Sequence, residues 1–335
     1  MKKIKIHNKF NSVRTKPVNL KKEDIYLFEN EFYKSFKGSY MLFAKNVSIN
    51  FLDLSKYFRL ISFSRHTKMN KFNFYQNLKY FFMKSNVIES DQVVAKGSWI
   101  LDEKSFHYFH WMCDALPRLV QIKNYTEEYP VLIPDKFMKY RFIKESLQEF
   151  DVNYKIYNAS KKLNVRKLLI SSHVAPSGNY KKDIMLKINE VFCKKYKLVR
   201  HSKIWISREK SKHRKIINES KIKNILDRYG YRIIYPEDFS FNEQTKIFSE
   251  AKVVAGLHGG GLTNIIYLKE NCILFEIRRE GDVDNNCYFT LASDLGLKYY
   301  YLNSQKLGND LYVDNVNVDI NDFERILEKI EDEII

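Results

Sequence analysis

Apolar and polar residues along the C-terminal half of the chain follow the periods of strands and helices in turn. Apolar, β-branched runs predict strands at 203–207, 231–236, 252–257, 272–277 and 298–302. Apolar residues at every third or fourth position predict intervening helices at 221–230, 241–251 and 287–296, and a last helix at 322–333. Regular alternation of strand and helix is typical of a parallel α/β sheet.

The N-terminal half has the same pattern beyond residue 90. Strands are predicted at 92–101, 129–135 and 167–174, with helices at 136–150 and 182–196. Before residue 90 the pattern is mixed, and the aromatic segment from Phe72 to Lys84 is predicted to pack on a core rather than on a membrane surface, since exposed aromatic patches are rare.

The two patterns predict an α/β protein of two domains. The chain is expected to cross between them near Leu198 to Ser202, which gives an N-terminal domain at 1–198 and a C-terminal domain at 199–335. The last helix belongs either to the second domain or packs back on the first.

A glycine turn follows the strand predicted at 252–257. His258 precedes Gly259, Gly260 and Gly261, which let the backbone turn sharply before Leu262 opens a short helix. The free N–H groups of that helix and its positive dipole end form an anion site. The spacing of these glycines matches neither the Walker loop nor the dinucleotide fingerprint. The alternative to an anion site is therefore a structural turn without a ligand.

Two charged residues end other strands of the same predicted sheet. Arg208 follows the strand at 203–207, and Glu276 lies at the end of the strand at 272–277. Because parallel strands end at one edge, we expect both near the glycine turn, where Glu276 would accept hydrogen bonds from ribose hydroxyls. Arg208 also opens a basic cluster at 208–215, whose alternatives are a nucleic-acid patch or a solvated loop.

The segment at 105–124 combines a polar stripe with a packing face. On a helix the stripe contains His107, His110, Trp111 and Asp114, and the predicted packing face contains Met112, Ala115, Leu116 and Leu119. Pro117 is expected to kink or end the helix just after Asp114.

This stripe has three interpretations. In the structural one, Asp114 pairs with Arg118 at i+4 and the histidines are hydrogen-bonded. In the catalytic one, Asp114 or His110 takes a proton from an incoming hydroxyl. A metal site ranks last, because His107 and His110 lack the i, i+4 spacing of a zinc helix.

Composition narrows the class of partner only in part. The net charge of +17 favours nucleic acid, an anionic membrane face or acidic substrates, but the charge is spread along the whole chain. Scattered cysteines without a C-x-x-C pair, and no apolar run of membrane-spanning length, predict a protein with reduced thiols on the cytosolic side. Asp282 and Asp284 form a D-x-D pattern, which binds a divalent cation in one class of sugar transferases.

Three ordered elements between residues 92 and 302 resemble glycosyltransferase family 61. His110-Trp111-x-x-Asp114-x-Leu116-Pro117-Arg118-Leu119 is similar to its first element. The second is matched by Ile206-Ser207-Arg208 with Arg214, Ile216, Asn218 and Glu219, and the third, usually HGAGLxN, by His258 to Asn264. Gly260 replaces the usual alanine, and Glu270-Asn271 replaces the Pro-Gly expected before the last strand.

The resemblance implies an architecture and an activity. It implies the GT-B architecture, two Rossmann-like domains with a cleft between them, and an inverting, metal-independent glycosyltransferase with no cofactor beyond a nucleotide-sugar donor. The chain resembles bacterial members that build capsule or lipopolysaccharide, which implies a glycan or lipid-linked glycan acceptor, no nucleic-acid partner, and a cytoplasmic location at the inner face of the membrane. The alternatives are a metal-dependent transferase using Asp282 and Asp284, or a non-enzymatic nucleic-acid or membrane-surface binder.

The predicted site residues fall into three sets. The catalytic pair is Asp114 and His110. The predicted acceptor-binding residues are His107, Trp111 and Arg118. The predicted donor-binding residues are Arg208, Arg214, His258, Gly259, Gly260, Gly261, Leu262, Asn264 and Glu276.

Overall fold

The computed structural model describes residues 2–50, 52, 88–196, 201–308, 310 and 313–334. The chain divides into two compact units. Unit 1 comprises Met1–Phe10 and Ser35–Ile188, and unit 2 comprises Asn11–Lys34 and Asn189–Ile335. The aromatic segment from Phe72 to Lys84, and most of the predicted crossing at 198–202, lie outside the described residues.

Unit 1 contains a mixed six-stranded sheet in the order β1-β4-β8-β5-β6-β7. Strands β8, β5, β6 and β7 are parallel, whereas β1 and β4 extend the sheet antiparallel on the β8 side. The strands are β1 (Lys2–Lys5), β4 (Tyr40–Ile49), β5 (Ile88–Trp99), β6 (Val131–Pro134), β7 (Tyr154–Tyr157) and β8 (Lys161–Ser171). The short strands β2 (Phe10–Val13) and β3 (Tyr33–Phe36) pair with each other.

One helical segment, α2, carries the first motif. It consists of an α-helical turn at Tyr108–His110, a π-helical turn at Trp111–Ala115 and an α-helix at Leu116–Ile122. Of the two outcomes predicted for Pro117, an end of the helix is not found, and the turn before the proline is π-helical. Proline has no N–H for the usual bond to residue i−4, and the turn before it is widened, with the amide of Leu116 bonded to the carbonyl of Trp111.

A second helix described in unit 1 is α3 (Arg141–Glu149), and α4 (Lys182–Cys193) contains the division between the units. Short 3₁₀ turns at Lys123–Tyr125 and Asp135–Phe137 flank β6. Met112, Ala115, Leu116 and Leu119 are fully buried, so the packing face predicted for α2 is confirmed.

Unit 2 contains a second six-stranded sheet in the order β10-β9-β11-β12-β13-β14. Its first five strands are all parallel, as the alternation of strands and helices predicts. The strands are β9 (Ser202–Ile206), β10 (Tyr231–Ile234), β11 (Ala251–Leu257), β12 (Ile273–Arg279), β13 (Lys298–Lys306) and β14 (Val316–Asn317). Apolar side chains on both faces bury these strands, which is why they appear in the sequence as unbroken apolar runs.

Helices connect the parallel strands of unit 2. The connecting helices are α5 (Glu219–Arg228), α6 (Phe241–Ser249) and α7 (Cys287–Asp294), with a 3₁₀ turn at Pro236–Asp238, and α8 (Ile320–Ile334) follows the last strand. Ser240 and Glu243 form a capping box at the start of α6. Asn218 precedes α5 without capping it, because its side-chain amide bonds the backbone of Val318.

The N-terminal segment 11–34 differs from the predicted domain boundary, because it belongs to unit 2. It includes a 3₁₀ turn at Lys22–Asp24 and the helix α1 (Ile25–Phe32). The Asn19 side chain bonds the backbone of Tyr301 through both its oxygen and its nitrogen, and Phe28 packs edge-on against Phe289. Contacts with β13 and α7, which lie far away in sequence, therefore fix this segment.

The last helix, α8, packs within unit 2. Its buried residues Phe323 and Leu327 join the core cluster that contains Trp205 and Phe275. The sequence left open whether this helix belongs to the second domain or packs back on the first, and in the structure it packs in unit 2. No helix in the described part of the chain combines the length and the apolar character needed to cross a membrane.

Candidate functional site

A crevice is expected at the point where the connections of the unit 2 sheet change direction. From β9 the chain passes to β10 on one side and then returns to β11 on the other side, so β9 and β11 are neighbours. Open α/β sheets bind ligands at such a point, outside the carboxyl ends of the strands. Arg208 follows β9 and His258 follows β11, so the sequence places both residues at this edge.

The absence of a side chain at Gly259 leaves room for the Arg208 guanidinium. A Cβ atom at this position would collide with Nη1 of Arg208, so the guanidinium lies directly against the glycine backbone. A Cβ at Gly261 would lie 2.9 Å from the Ile206 side chain, whereas one at Gly260 would meet no atom within 4 Å. Gly260 is thus the position at which an alanine fits without rearrangement.

Carbonyl and hydroxyl groups hold the Arg208 guanidinium. Nε donates to the carbonyl of Arg214 at 2.8 Å, and Nη2 donates to the Ser211 hydroxyl at 3.0 Å and to the carbonyl of His213 at 3.1 Å. Among the described residues, Nη1 has no hydrogen bond and no carboxylate forms an ion pair with the guanidinium. Burial, followed by the nearby charge of Arg214, lowers the pKa of Arg208 to about 10. A cation without a protein counter-charge favours an anionic ligand.

Arg214 contributes through its backbone. It has a left-handed conformation, with φ of 55°, and its carbonyl accepts the bond from Arg208. Its Nε is buried and has no hydrogen-bond partner in the described residues. The structure therefore brings Arg214 beside Arg208, as predicted, and assigns its carbonyl to the support of that side chain.

The helix after the glycine turn is a 3₁₀ helix, at Gly260–Tyr267. The amide of Leu262 donates to the carbonyl of Gly259 at 2.9 Å, so this predicted anion donor is already used within the turn. Asn264 is fully buried, and its side-chain amide donates to Gln244 on α6 at 3.1 Å. Leu262 and Asn264 therefore stabilise the turn, and their contact with a donor stays a prediction.

His258 and Glu276 form a dyad. Nδ1 of His258 is hydrogen-bonded to Oε1 of Glu276, while 16% of the histidine side chain stays exposed. The Nε2 atom has no hydrogen-bond partner in the described part of the chain. Glu276 is fully buried, and its second oxygen accepts from the Tyr299 hydroxyl at 2.6 Å. Glu276 is therefore buried behind His258 with each oxygen bonded to a protein group, and the contact with ribose hydroxyls stays a prediction.

The sheet of unit 1 has a corresponding crevice between the neighbouring parallel strands β5 and β8. A small pocket at this edge is lined by Asp114 and Pro117 of α2, by His173 after β8, and by Asn179, Tyr180 and Lys181 of the following loop. His173 and Asp102, which follow the two strands, pair at 3.3 Å. Burial alone would raise the pKa of Asp102, but the hydrogen bond and charge of His173 outweigh it and lower this pKa.

Asp114 faces this pocket from the π-helical turn of α2. Its Oδ2 atom is hydrogen-bonded to Nδ1 of His110 at 2.7 Å and accepts from the Ser177 hydroxyl at 2.8 Å. Its Oδ1 atom has no hydrogen bond in the described residues. Asp114 does not pair with Arg118, as the structural interpretation predicted, but a histidine is hydrogen-bonded as that interpretation expected, because His110 and Ser177 hold the carboxylate.

The three predicted acceptor-binding residues do not share one surface. Trp111 is fully buried, and its indole N–H donates to the Ser146 hydroxyl at 2.8 Å. Arg118 is also fully buried, and its Nε donates to the carbonyl of Ser171 at 2.9 Å. Burial lowers the pKa of Arg118 to about 10 against the attraction of Asp102. Trp111 and Arg118 are therefore core residues in this structure, which corrects their assignment.

His107 is placed at the start of α2. Its ring lies 4.1 Å from the Phe106 ring and 6.3 Å from the His110 ring, measured between centroids. Burial and the neighbouring charge of His110 lower the pKa of His107 to about 4, so the ring is neutral at physiological pH. His107 thus remains close to the Asp114 and His110 pair.

Asp282 of the D-x-D pattern closes a turn. Its Oδ1 accepts from the amides of Asp284 and Asn285, and its Oδ2 accepts from the Asn285 side chain at 2.8 Å. Asp282 is also 8% exposed. Local hydrogen bonds therefore satisfy the aspartate that the metal-dependent alternative requires.

Sequence reasoning missed residues that complete both sites. Ser177 reaches Asp114 across 63 residues, and Tyr299 reaches Glu276 across 23 residues. Neither lies in a motif, and no local pattern connects a serine or tyrosine with a particular carboxylate at these separations. Only the placement of the loop after β8 and the register of β13 beside β12 shows these contacts.

Comparison with known proteins gives a family and a set of relatives. The family model described as Glycosyltransferase 61 matches residues 108–275, half of the 335 residues. The EGF domain-specific O-linked N-acetylglucosamine transferase of Drosophila melanogaster is 30% identical over 93 residues, which cover 27% of this chain and 18% of that protein. The proteins of the same name from Gallus gallus and Bos taurus are 29% and 28% identical, over 26% and 29% of this chain and 17% and 19% of their own lengths.

The matched stretch thus spans less than a fifth of each of these relatives. The family match covers α2, the glycine turn and Arg208, and it ends one residue before Glu276. Since it includes half of the chain, the protein belongs to the glycosyltransferase 61 family.

Proposed function

We propose that this protein is an inverting glycosyltransferase that moves a sugar from a nucleotide-sugar donor to a hydroxyl of a glycan or glycolipid. The observation that carries the proposal is the guanidinium of Arg208 lying against Gly259 beside His258, without a protein carboxylate as its counter-charge in the described residues. A diphosphate supplies the negative charge that such an arrangement favours. Membership of the glycosyltransferase 61 family supports a sugar as the transferred group.

Unit 2 provides the donor site in this proposal. The diphosphate accepts hydrogen bonds from Nη1 of Arg208, from Nε2 of His258 and from the amides of Gly259 and Gly260. These donors stabilise the charge that develops on the leaving diphosphate, which is the electrostatic part of catalysis. Charge-assisted hydrogen bonds contribute about 1.5–3 kcal/mol each, so we expect Arg208, His258 and the amides of the turn to bind the diphosphate without a metal ion.

Unit 1 provides the base. Asp114 takes the proton of the acceptor hydroxyl through Oδ1, while His110 and Ser177 hold Oδ2. The oxygen of the acceptor attacks the anomeric carbon as the bond to the diphosphate breaks, so one displacement inverts the configuration. The GT-B architecture and the split between an acceptor-side and a donor-side domain belong to this proposal.

The biological setting is also part of the proposal. Assembly of a surface polysaccharide, such as capsule or lipopolysaccharide, at the cytoplasmic face of a membrane suits a chain of net charge +17, because anionic lipids and acidic glycans attract it. N-acetylglucosamine is the first sugar to test, since the name of the matched relatives contains it.

A nucleotide screen tests the function. Thermal unfolding with UDP, GDP, CMP and TDP should show stabilisation by a nucleoside diphosphate, because a ligand that binds only the folded chain raises its melting temperature. Release of that diphosphate from the corresponding nucleotide sugar should then follow. The proposal fails when no nucleotide shifts the melting temperature and no donor is consumed.

Chelation separates the proposal from the metal-dependent alternative. We expect EDTA to leave the rate of donor consumption unchanged, because cationic side chains and amides bind the diphosphate. Loss of activity with EDTA and recovery with Mg²⁺ or Mn²⁺ would contradict this expectation. The Asp284→Asn variant would then show whether the D-x-D pattern binds the cation.

A pair of glycine variants tests the contact between Arg208 and the turn. Gly259→Ala is expected to weaken binding of the nucleoside diphosphate by about tenfold or more, because the new Cβ displaces the guanidinium and a charge-assisted bond is lost. Gly260→Ala keeps the amide and adds a Cβ in open space, so its loss is expected to be much smaller. Titration calorimetry measures both, and equal losses would contradict the contact.

A further inference from the structure

A buried network lies behind His258 in unit 2. Oε1 of the buried Glu276 is bonded to Nδ1 of His258, and Oε2 accepts from the Tyr299 hydroxyl at 2.6 Å. The Arg278 residue is buried, and its Nη1 atom lies 3.8 Å from the same Oε2. The carboxylate is thus bonded to the imidazole through one oxygen and faces two buried polar groups with the other.

These contacts satisfy the buried carboxyl group of Glu276. A buried carboxylate is stable only when it is paired and hydrogen-bonded. Burial and the charge of Glu276 raise the pKa of Tyr299, so its hydroxyl keeps the proton that it donates. Burial alone would lower the pKa of Arg278, but Tyr299 and Glu276 outweigh it and raise this pKa. Arg278 therefore stays charged beside the carboxylate.

The hydrogen bond to Glu276 decides which nitrogen of His258 is left for a ligand. Nδ1 must carry a proton to bond a carboxylate, so Nε2 is the atom left for a ligand. When Nε2 carries a proton as well, the ring donates to Glu276 through Nδ1 and to an anionic ligand through Nε2. The other group packed against the ring is Tyr288 of α7, whose ring centroid is 5.0 Å away.

The N-terminal segment supports Arg278. Its guanidinium lies 4.9 Å from the centroid of the Phe28 ring, and its Nη2 donates to the carbonyl of Asp282 at 2.7 Å. Phe28 is fully buried on α1 and also packs edge-on against Tyr301. A continuous series of contacts therefore runs from α1 through Arg278 and Glu276 to His258.

We infer that Tyr299 and Arg278 are positioning residues of the donor site, which act through Glu276 to hold His258 with Nε2 as a hydrogen-bond donor to the diphosphate. The inference rests on the proposed function. All members of the network except His258 lie outside the family match at 108–275.

Two tyrosines on β13 provide a matched test. Tyr299→Phe removes only the hydroxyl that donates to Glu276 and keeps the packed ring. Tyr301→Phe makes the same change two residues away, on a ring stacked 6.5 Å from the first, where the hydroxyl donates to Asp24 at 2.7 Å. By calorimetry, Tyr299→Phe is expected to weaken nucleoside diphosphate binding about three- to tenfold, and Tyr301→Phe to leave it unchanged.

A double-mutant cycle separates positioning from general loss of structure. In a His258→Asn background, Tyr299→Phe is expected to have no further effect, because the residue through which it acts is gone. A loss that persists in that background, or an equal loss in Tyr301→Phe, overturns the inference. If Tyr299→Phe does not fold, Arg278→Lys replaces it in the same cycle. Arg278→Lys is then expected to weaken binding in the wild-type background and to have no further effect in the His258→Asn background.

The outcomes also separate the inference from the proposed function. A wild-type chain that binds no nucleoside diphosphate ends both. Suppose that the wild-type chain binds a nucleoside diphosphate, that His258→Asn weakens this binding and that Tyr299→Phe keeps full affinity. This result contradicts the inference and leaves the proposed donor site in place.

Discussion

The Asp114→Asn variant is expected to lose about 10²- to 10⁴-fold in turnover, the range that a general base contributes, while its affinity for the nucleoside diphosphate stays unchanged. Asparagine has nearly the same shape as aspartate, and its amide oxygen still accepts from His110 and Ser177. The change thus removes the proton acceptor and little else. Release of nucleoside diphosphate from a nucleotide sugar under single-turnover conditions measures the chemical step.

Variants of the supporting residues test which atom takes the proton. Ser177→Ala and His110→Gln remove one hydrogen bond each from Oδ2 and keep the carboxylate, so each is expected to lose less turnover than Asp114→Asn. A larger loss in His110→Gln than in Asp114→Asn would move the base to the histidine. Near wild-type turnover in Asp114→Asn would remove Asp114 from the mechanism.

The parallel strands of the unit 2 sheet and the ends of those strands were predictable from the sequence. Strands buried on both faces appear as unbroken apolar runs, and helices between them force parallel order. Residues that directly follow such strands must lie at one edge. This argument predicted that Arg208 and the glycine turn would be neighbours, and the contact between Arg208 and Gly259 confirms it.

The direction of individual side chains was less predictable. A helical stripe of 3.6 residues per turn placed Trp111 with Asp114, but the π-helical turn at Trp111–Ala115 breaks that period, and Trp111 is buried against Ser146. Glu276 lies at the predicted strand end, yet its side chain is turned inward to Tyr299, and sequence spacing does not determine this direction.

Segment 11–34 shows where the prediction of domain boundaries from sequence fails. Its sequence has no feature that connects it with residues near 300, and its place in unit 2 comes from Phe28 and from hydrogen bonds of Asn19 and Asp24 with β13. Contacts between distant parts of a chain decide such assignments. A boundary drawn from the order of elements alone therefore places this segment in the wrong unit.

The Arg208→Ala variant is expected to weaken nucleoside diphosphate binding by about 10- to 100-fold, because a charge-assisted hydrogen bond contributes about 1.5–3 kcal/mol and 1.4 kcal/mol corresponds to tenfold. Arg208→Lys keeps the charge but loses the planar fork that the carbonyls of His213 and Arg214 hold, so it should recover only part of the affinity. Titration calorimetry with the diphosphate identified in the screen measures both variants.

Lys210→Ala is the matched control, since Lys210 lies two residues away in the same basic cluster. Its ammonium group is exposed and pairs with Asp238 at the surface. Surface ion pairs contribute about 0–1 kcal/mol, so its removal is expected to change the affinity by less than about fivefold. A nucleic-acid binder would use all the charges of the basic cluster without distinction. Both variants would then weaken nucleic-acid binding to a similar extent, and the affinity would fall with increasing salt concentration. A loss confined to Arg208 would distinguish a diphosphate site from such a surface, because only Arg208 lies against the glycine turn.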